Sequence, residues 1–448
     1  MKLNGLDKFI LSHETNHTHY NSHFILNITG NIDLPRFEKT VYSLGEQIPL
    51  LRTTIQTLPW NYRRKMHSKS WFRKQNLIHY ANNITQQQQD DFCNKAFDLK
   101  REAPLRFLIS KENFGYQVIM SVHHSLCDGG GQALLLEEFL RVWNNEPVSK
   151  YAAKTDSIRF RDLLKEMGFL WKLKKIYEHK PSLKKQRHYK MASLVDYPES
   201  IERKITTRTY DLSKTKGTIL RRNYEHLKCS VAEYVTFCSF QALGKCLAEK
   251  GSQDPIMVYV PKNMRPDFHL RKSLQNILAT ILLIAKPQDL RSDQFLSKIQ
   301  KRMHDFDIES AAPFIFRVLL PDRFTPPKIL KRRYQKMDQD PQNQTCTFFV
   351  SAGLLSKRTK FPAKWGNVQL SARGTLLKSP SMGFILTGFK GAETLTLEYV
   401  QSLYKTETIA LFEKYFFEEL YQIRYKSDPL SEPHAPQAVL ESNPSQML

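Results

Sequence analysis

The chain has no apolar run long enough to cross a bilayer, for which a helix needs about 20 apolar residues. Its longest such run, Ile277 to Ala285, is interrupted by Thr280 and reads as a buried strand. The opening residues, Met1-Lys-Leu-Asn-Gly-Leu-Asp7, lack a charged segment leading into an apolar core, so no secretory signal is expected. Cysteine is sparse: the six, at 93, 127, 229, 238, 246 and 346, form no CxxC pair. Such scattering argues against a disulfide framework or a zinc site and predicts a reduced, cytoplasmic protein. Acidic residues are in deficit, 44 Asp+Glu against 67 Lys+Arg, a formal net charge of +23. A field of that sign steers anionic partners. No nucleic-acid-binding motif accompanies it, so nucleic acid is not an expected partner.

What the chain does contain is a dense cluster of chemistry, His123-His-Ser-Leu-Cys-Asp-Gly-Gly-Gly131. An alternating run, Tyr116 to Val122, precedes it, and Ala133 to Trp143 follows with helical spacing. The cluster therefore lies where a strand ends and a helix begins, a place where a rigid scaffold presents functional side chains. A neutral imidazole is the natural general base near pH 7. Asp128 carries a fixed charge able to pair with a cation. Gly129, Gly130 and Gly131 allow a ligand close to the backbone, and their amides at a helix start suit a developing oxyanion.

Competing readings weigh less. His123 and His124, adjacent at a strand end, point to opposite sides and do not readily share a metal ion. Cys127 invites a thiol-nucleophile reading, but cysteine so placed more often serves as a small buried hydrophobe. The glycines lack the lysine of a phosphate-binding P-loop.

The pattern His123-His124-xxx-Asp128-Gly129 resembles the HHxxxDG signature of the chloramphenicol acetyltransferase-like superfamily. That superfamily includes condensation domains, alcohol O-acyltransferases and wax ester synthases. Further segments resemble it in order: Leu3 to Leu11 (nearest the alcohol acyltransferase and wax ester synthase branch), Ile48-Pro-Leu-Leu-Arg52, Phe97-Asp-Leu99 with Ala103-Pro-Leu-Arg106, and Val260 to Pro266. Departures are Gln275-Asn276 where relatives often have Gly-Asn, Arg106 where wax ester synthases have tryptophan, and the lack of a DFGWG motif.

The resemblance implies an α/β fold of two chloramphenicol-acetyltransferase-like lobes, each a mixed sheet with flanking helices, with an active-site tunnel between them. It implies His124 as general base, His123 as a structural residue, Asp128 ion-paired to Arg265, and the Gly129 amide at the oxyanion. It further implies acyl transfer from a thioester without a covalent acyl-enzyme. Acyl-CoA and a hydroxyl acceptor are the favoured pair. Amide formation from an acyl-carrier-protein-bound donor is the first alternative, and a non-catalytic binding protein the second. No permanently bound cofactor and no metal are expected.

In outline, residues 1–155 read as an N-terminal lobe, 156–205 as a basic linker helix region, 206–426 as a C-terminal lobe and 427–448 as a disordered tail. Within 158–190, eleven Lys/Arg face three Asp/Glu at amphipathic spacing, which suits either packing on the lobes or an anionic membrane surface. A monomer, cytoplasmic or peripheral at a membrane, is expected. Local signals add a helix capped by Asp33, a basic loop over Trp60 to Asn76, a capping box at Ser230-Val-Ala-Glu233, a mobile loop or surface excursion over the Pro- and Lys-rich 321–345, and a last helix capped by Thr406 or Thr408.

Overall fold

The first half of the chain holds α1 (Gly5–His13), β1 (Asn21–Ile28), α2 (Leu34–Gln47), the hairpin β2 (Thr53–Thr57) and β3 (Tyr62–Met66), α3 (Lys69–Arg73), β4 (Ile78–Asn82), α4 (Gln86–Asn94), β5 (Leu105–Glu112), β6 (Gly115–His123) and α5 (Gly129–Trp143). The second half holds β7 (Ile205–Asp211), α6 (Gly217–His226), α7 (Val231–Glu249), β8 (Ile256–Asn263), β9 (Leu278–Ala285), α8 (Phe295–His304), α9 (Pro327–Gln339), β10 (Phe348–Leu354), β11 (Val368–Arg373), β12 (Met382–Phe389), β13 (Ala392–Val400) and α10 (Thr406–Tyr421). This computed structural model describes residues 3–15, 18–152, 191–200, 202–212, 217–266, 273–307, 309–311, 325–339, 347–355, 359–377, 379–389 and 392–424. The basic segment 158–190 and the tail 427–448 lie outside the described residues.

Two sheets result, a five-stranded one ordered β11-β1-β6-β5-β4 and a six-stranded one ordered β7-β13-β12-β10-β8-β9. Both are mixed: β4 runs parallel to β5, and β10 runs parallel to both β8 and β12, among otherwise antiparallel pairs. The fold class is thus two α/β lobes with mixed sheets and flanking helices, as expected. Helix α2 is set by Asp33, whose side chain accepts from Arg36 N, and buries Phe37, Val41 and Leu44 along one face. Helix α7 opens on the Ser230/Glu233 capping box and closes before Gly251, whose φ of +68° suits a glycine just past a helix end.

The division by sequence is crossed in space. Strand β11 comes from the second half, yet it pairs antiparallel with β1 in the first sheet, Leu370 opposite Leu26. Its last residue, Arg373, is buried and meets Asp90 of α4 at 2.6 Å. Asn94, also on α4, reaches the edge strand β7: its Nδ2 donates to Ile205 O at 2.8 Å, and its Oδ1 accepts from Ile205 N at 3.0 Å. A side-chain amide thereby covers part of an open sheet edge.

Four local expectations need correction. The basic stretch from Trp60 forms the hairpin strand β3 and the helix α3, because Tyr62, Arg64 and Phe72 turn inward. Residues 327–339 are helical rather than loop, since Leu330 and Tyr334, one turn apart, bury against the molecule. Tyr334 contacts Phe9 and His13 of α1, with ring centroids 5.5 and 4.0 Å apart. Strand β9 is an edge strand whose Ile284 is 46 % exposed, not a strand buried on both faces. The last helix has Lys405 at its N-cap and Thr406 as its first residue, so neither threonine caps it.

Candidate active site

His123 is the last residue of β6, opposite Asn21 of β1, and is fully buried. The Ser125 amide donates to its Nδ1 at 3.1 Å, and Ser125 Oγ lies 2.8 Å from the same atom. An accepting Nδ1 leaves Nε2 as the protonated nitrogen, and Nε2 sits 3.2 Å from Glu14 Oε1 at the end of α1. Both ring nitrogens of His123 are therefore engaged in holding the turn.

His124 is the first residue beyond the strand and is only partly covered. Its main chain is pinned at both ends: its N–H donates to Tyr20 O at 2.6 Å, and its carbonyl accepts from Asn276 Nδ2 at 2.7 Å. The Tyr20 ring stands edge-on to the imidazole, centroids 6.4 Å apart. Burial holds the His124 pKa below its ordinary 6.5, opposed by the Asp128 charge and helped by neighbouring His123. The imidazole is consequently a neutral base at pH 7.

Asp128 caps α5, its Oδ1 accepting from Gly131 N at 2.8 Å. The same oxygen lies 2.7 Å from Arg265 Nη2, and Oδ2 accepts from Ile277 N at 2.7 Å. Arg265 is 2 % exposed and donates further to Ser273 O, Gln275 O and Asn263 Oδ1. The start of α5 is thereby bound to the β8–β9 segment of the second half.

The three glycines differ in what they face. A Cβ on Gly131 would fall 2.2 Å from Leu274 O, and one on Gly130 would fall 2.7 Å from Arg265 Nη1. These two are small so that Arg265 and the 273–276 strip can cross the helix start. A Cβ on Gly129 would meet nothing within 4 Å. Open space at the first turn of α5 thus belongs to Gly129 alone of the three.

Cys127 is buried, and burial pushes its thiol pKa well up, so no thiolate nucleophile forms there. No group of three or more His, Cys, Asp or Glu with metal-binding geometry occurs among the described residues.

Three residues that shape this site carry no clear mark in the sequence. Asn276 stands out there only as a departure from a motif, Asp7 only within the opening segment, and Arg64 only as one of many basic residues after Trp60. Arg64 Nη2 donates to Ser125 O and reaches Asp7 Oδ2 at 3.3 Å, while Asn276 Nδ2 donates to Asp7 Oδ1 at 2.8 Å. The usable signal is charge or amide in strongly apolar surroundings, as at Asn276 before Ile277-Leu278. A cavity of about 540 Å³ on the second lobe, lined among others by Lys228, Glu233, Lys262, Asn263 and His304, borders the site through Asn263. Asn263 belongs to both, because its side chain also holds Arg265.

Residues 8–166 match the family model described as Condensation domain. Over 285 residues, 60 % of this chain, the sequence is 23 % identical to a plipastatin synthase polypeptide of Bacillus subtilis (strain 168) and spans 10 % of that protein. The first condensation domain of the CDA synthetase superposes with a TM-score of 0.66 at 14 % identity, covering 95 % of this chain and 97 % of that one. A variant starter condensation domain of rhizomide synthetase, in complex with C8-CoA and Leu-SNAC, superposes with a TM-score of 0.59 at 14 % identity, covering 93 % of each chain. The two solved neighbours are condensation domains of synthetases and the curated relative is a plipastatin synthase subunit; none is a wax ester synthase of the kind residues 3–11 resemble. The protein therefore has the two-lobed fold of condensation domains, and its residues 8–166, among them His124, match the condensation-domain model.

Proposed function

We propose that the protein transfers an acyl group from a thioester to a hydroxyl or amine acceptor, with His124 as general base. The observation that carries this reading is a neutral, partly exposed imidazole with its backbone pinned at both ends, at the seam of two lobes and next to the open face of Gly129. His124 Nε2 takes the acceptor proton as its oxygen or nitrogen attacks the thioester carbonyl. The Gly129 amide, at a helix start, stabilises the tetrahedral oxyanion. Collapse breaks the carbon–sulfur bond, the thiolate recovers the proton from His124, and an ester or amide leaves with a free thiol. No acyl-enzyme forms.

The relatives shift the preferred donor from free acyl-CoA toward a carrier-bound thioester, since the curated relative is a plipastatin synthase subunit and the solved neighbours are synthetase condensation domains. Carrier and CoA donors share the thioester arm, and the cavity beside Asn263 is of a size that suits it. Asp128 and Arg265 join the lobes and do not touch reacting atoms in this scheme.

The test is thiol release from acyl-CoA, acyl-SNAC and acyl-carrier donors against panels of amines and alcohols. Acceptor-dependent release is expected, falling about 10²–10⁴-fold in His124→Ala. Undiminished transfer in that variant removes His124 from the mechanism. Silence of the wild type across the panel favours a non-catalytic binding protein.

A further inference from the structure

We infer that Asn276 is a positioning residue that fixes the tautomer of His124, its side-chain oxygen receiving the proton on Nδ1 so that Nε2 keeps its lone pair. The consequence for catalysis rests on the acyl-transfer reading above; the tautomer itself does not.

Asn276 is 1 % exposed and precedes β9. Its Nδ2 donates to Asp7 Oδ1 at 2.8 Å and to His124 O at 2.7 Å. A carbonyl and a carboxylate held by Arg64 both act as acceptors, so the amide has only one tenable orientation. Flipping it would set oxygen against two oxygens. The Asn276 backbone is held as well, its carbonyl accepting from Asn4 Nδ2 at 3.2 Å. Asn4 in turn caps α1 through Asp7, giving and accepting in a capping box. Helix α1, Arg64 and the 273–276 strip thus converge on one amide.

With Nδ2 fixed, Oδ1 is the group left over. It is buried and makes no hydrogen bond to the described residues, and His124 Nδ1 is in the same condition. A buried acceptor and a buried ring nitrogen on residues already joined by the Asn276 Nδ2–His124 O bond are both satisfied if Nδ1 carries the proton. In the balance by which burial lowers the His124 pKa, the Asn276 side chain is a minor opposing contribution, of the sign expected for an acceptor beside a ring N–H. The competing acceptor for Nδ1 is the His124 carbonyl itself, which already receives Asn276 Nδ2. An Nδ1–H imidazole presents an unprotonated Nε2, the atom the mechanism needs.

The experiment is nitrogen NMR of the full chain labelled with ¹⁵N-histidine, the His124 signals being assigned by their loss in His124→Ala. The wild type is expected to show Nδ1 protonated and Nε2 unprotonated at neutral pH. Asn276→Leu, of similar bulk without the amide, is expected to show mixed tautomers and to lower kcat about 10–100-fold, the range for partners that orient a functional imidazole, with KM little changed. A wild-type His124 protonated on Nε2 overturns the inference without any variant. A variant that keeps the Nδ1–H tautomer overturns it too, because the His124 carbonyl would then suffice. If no donor and acceptor pair is turned over, the spectra still decide the tautomer, so failure of the acyl-transfer reading is told apart from failure of this one.

Discussion

Replacing Asp128 by asparagine keeps its shape and tests what the carboxylate does. Three buried donors meet it: Arg265 Nη2 at 2.7 Å, Gly131 N at 2.8 Å and Ile277 N at 2.7 Å. An asparagine offers one oxygen and one NH₂. With oxygen toward Arg265 and Gly131, the helix cap survives, but the NH₂ faces the Ile277 N–H and Arg265 faces a neutral group. Stranding a buried charge costs about 3–5 kcal/mol, and an unmet buried N–H about 1–3 kcal/mol, partly the same loss. A destabilisation of about 4 kcal/mol follows. At about 2.1 cal/mol/K of unfolding entropy per residue over 448 residues, the melting midpoint falls by about 4 °C. Thermal unfolding followed by circular dichroism, beside an acyl-transfer assay well below the midpoint, measures both consequences. The expected variant is less stable yet retains most of its transfer rate. Arg265→Gln should cost less in the Asp128→Asn background than in the wild type, because the partner is already lost. An unchanged midpoint with abolished transfer would place Asp128 in the chemistry and refute the architectural argument, as would strict additivity of the two substitutions.

Two further predictions concern the same turn. The acid limb of kcat/KM should have its midpoint below 6.5, because burial lowers the His124 pKa and the protonated ring is no base. Since the Asp128 charge raises that pKa, Asp128→Asn should move the limb to still lower pH; a midpoint above 6.5 in the wild type contradicts the burial argument. Gly131→Ala should destabilise by about 1–3 kcal/mol or more, as its Cβ would lie 2.2 Å from backbone oxygen, whereas Gly129→Ala should leave thermal stability unchanged or slightly raised and selectively reduce transfer. Equal melting behaviour of the two variants would show that the glycines do not divide the roles this way.

Much of the site's skeleton is legible in one sequence because its signals are local. Alternation up to Val122 and helical spacing after Ala133 place His124 at a strand-to-helix turn, and Asp33 and Ser230 mark helix starts by capping chemistry that spans three residues. Other features have no local mark. The pattern of Val368 to Arg373 says strand, but nothing nearby says that it joins the sheet of β1. The Pro- and Lys-rich composition of 321–345 conceals the one-turn spacing of Leu330 and Tyr334 that seats α9 on α1. Arg64 reads as one of several basic residues, although its neighbours Arg63 and Lys65 are exposed and it alone of the three turns inward.

The sequence by itself determined the two-lobed α/β class, the turn that presents His124, and the residue types able to do base chemistry there. Periodicity and capping act within a turn or a strand, and both are written in neighbouring residues. The resemblance already paired Arg265 with Asp128; only the tertiary structure decided which further distant groups complete the turn: Arg64 on Ser125, Asn276 on the His124 carbonyl, and β11 across the lobes. The reason is burial. Once folding removes water from the seam, each polar group must find a partner among whatever segments meet it, and sequence distance has no part in that choice.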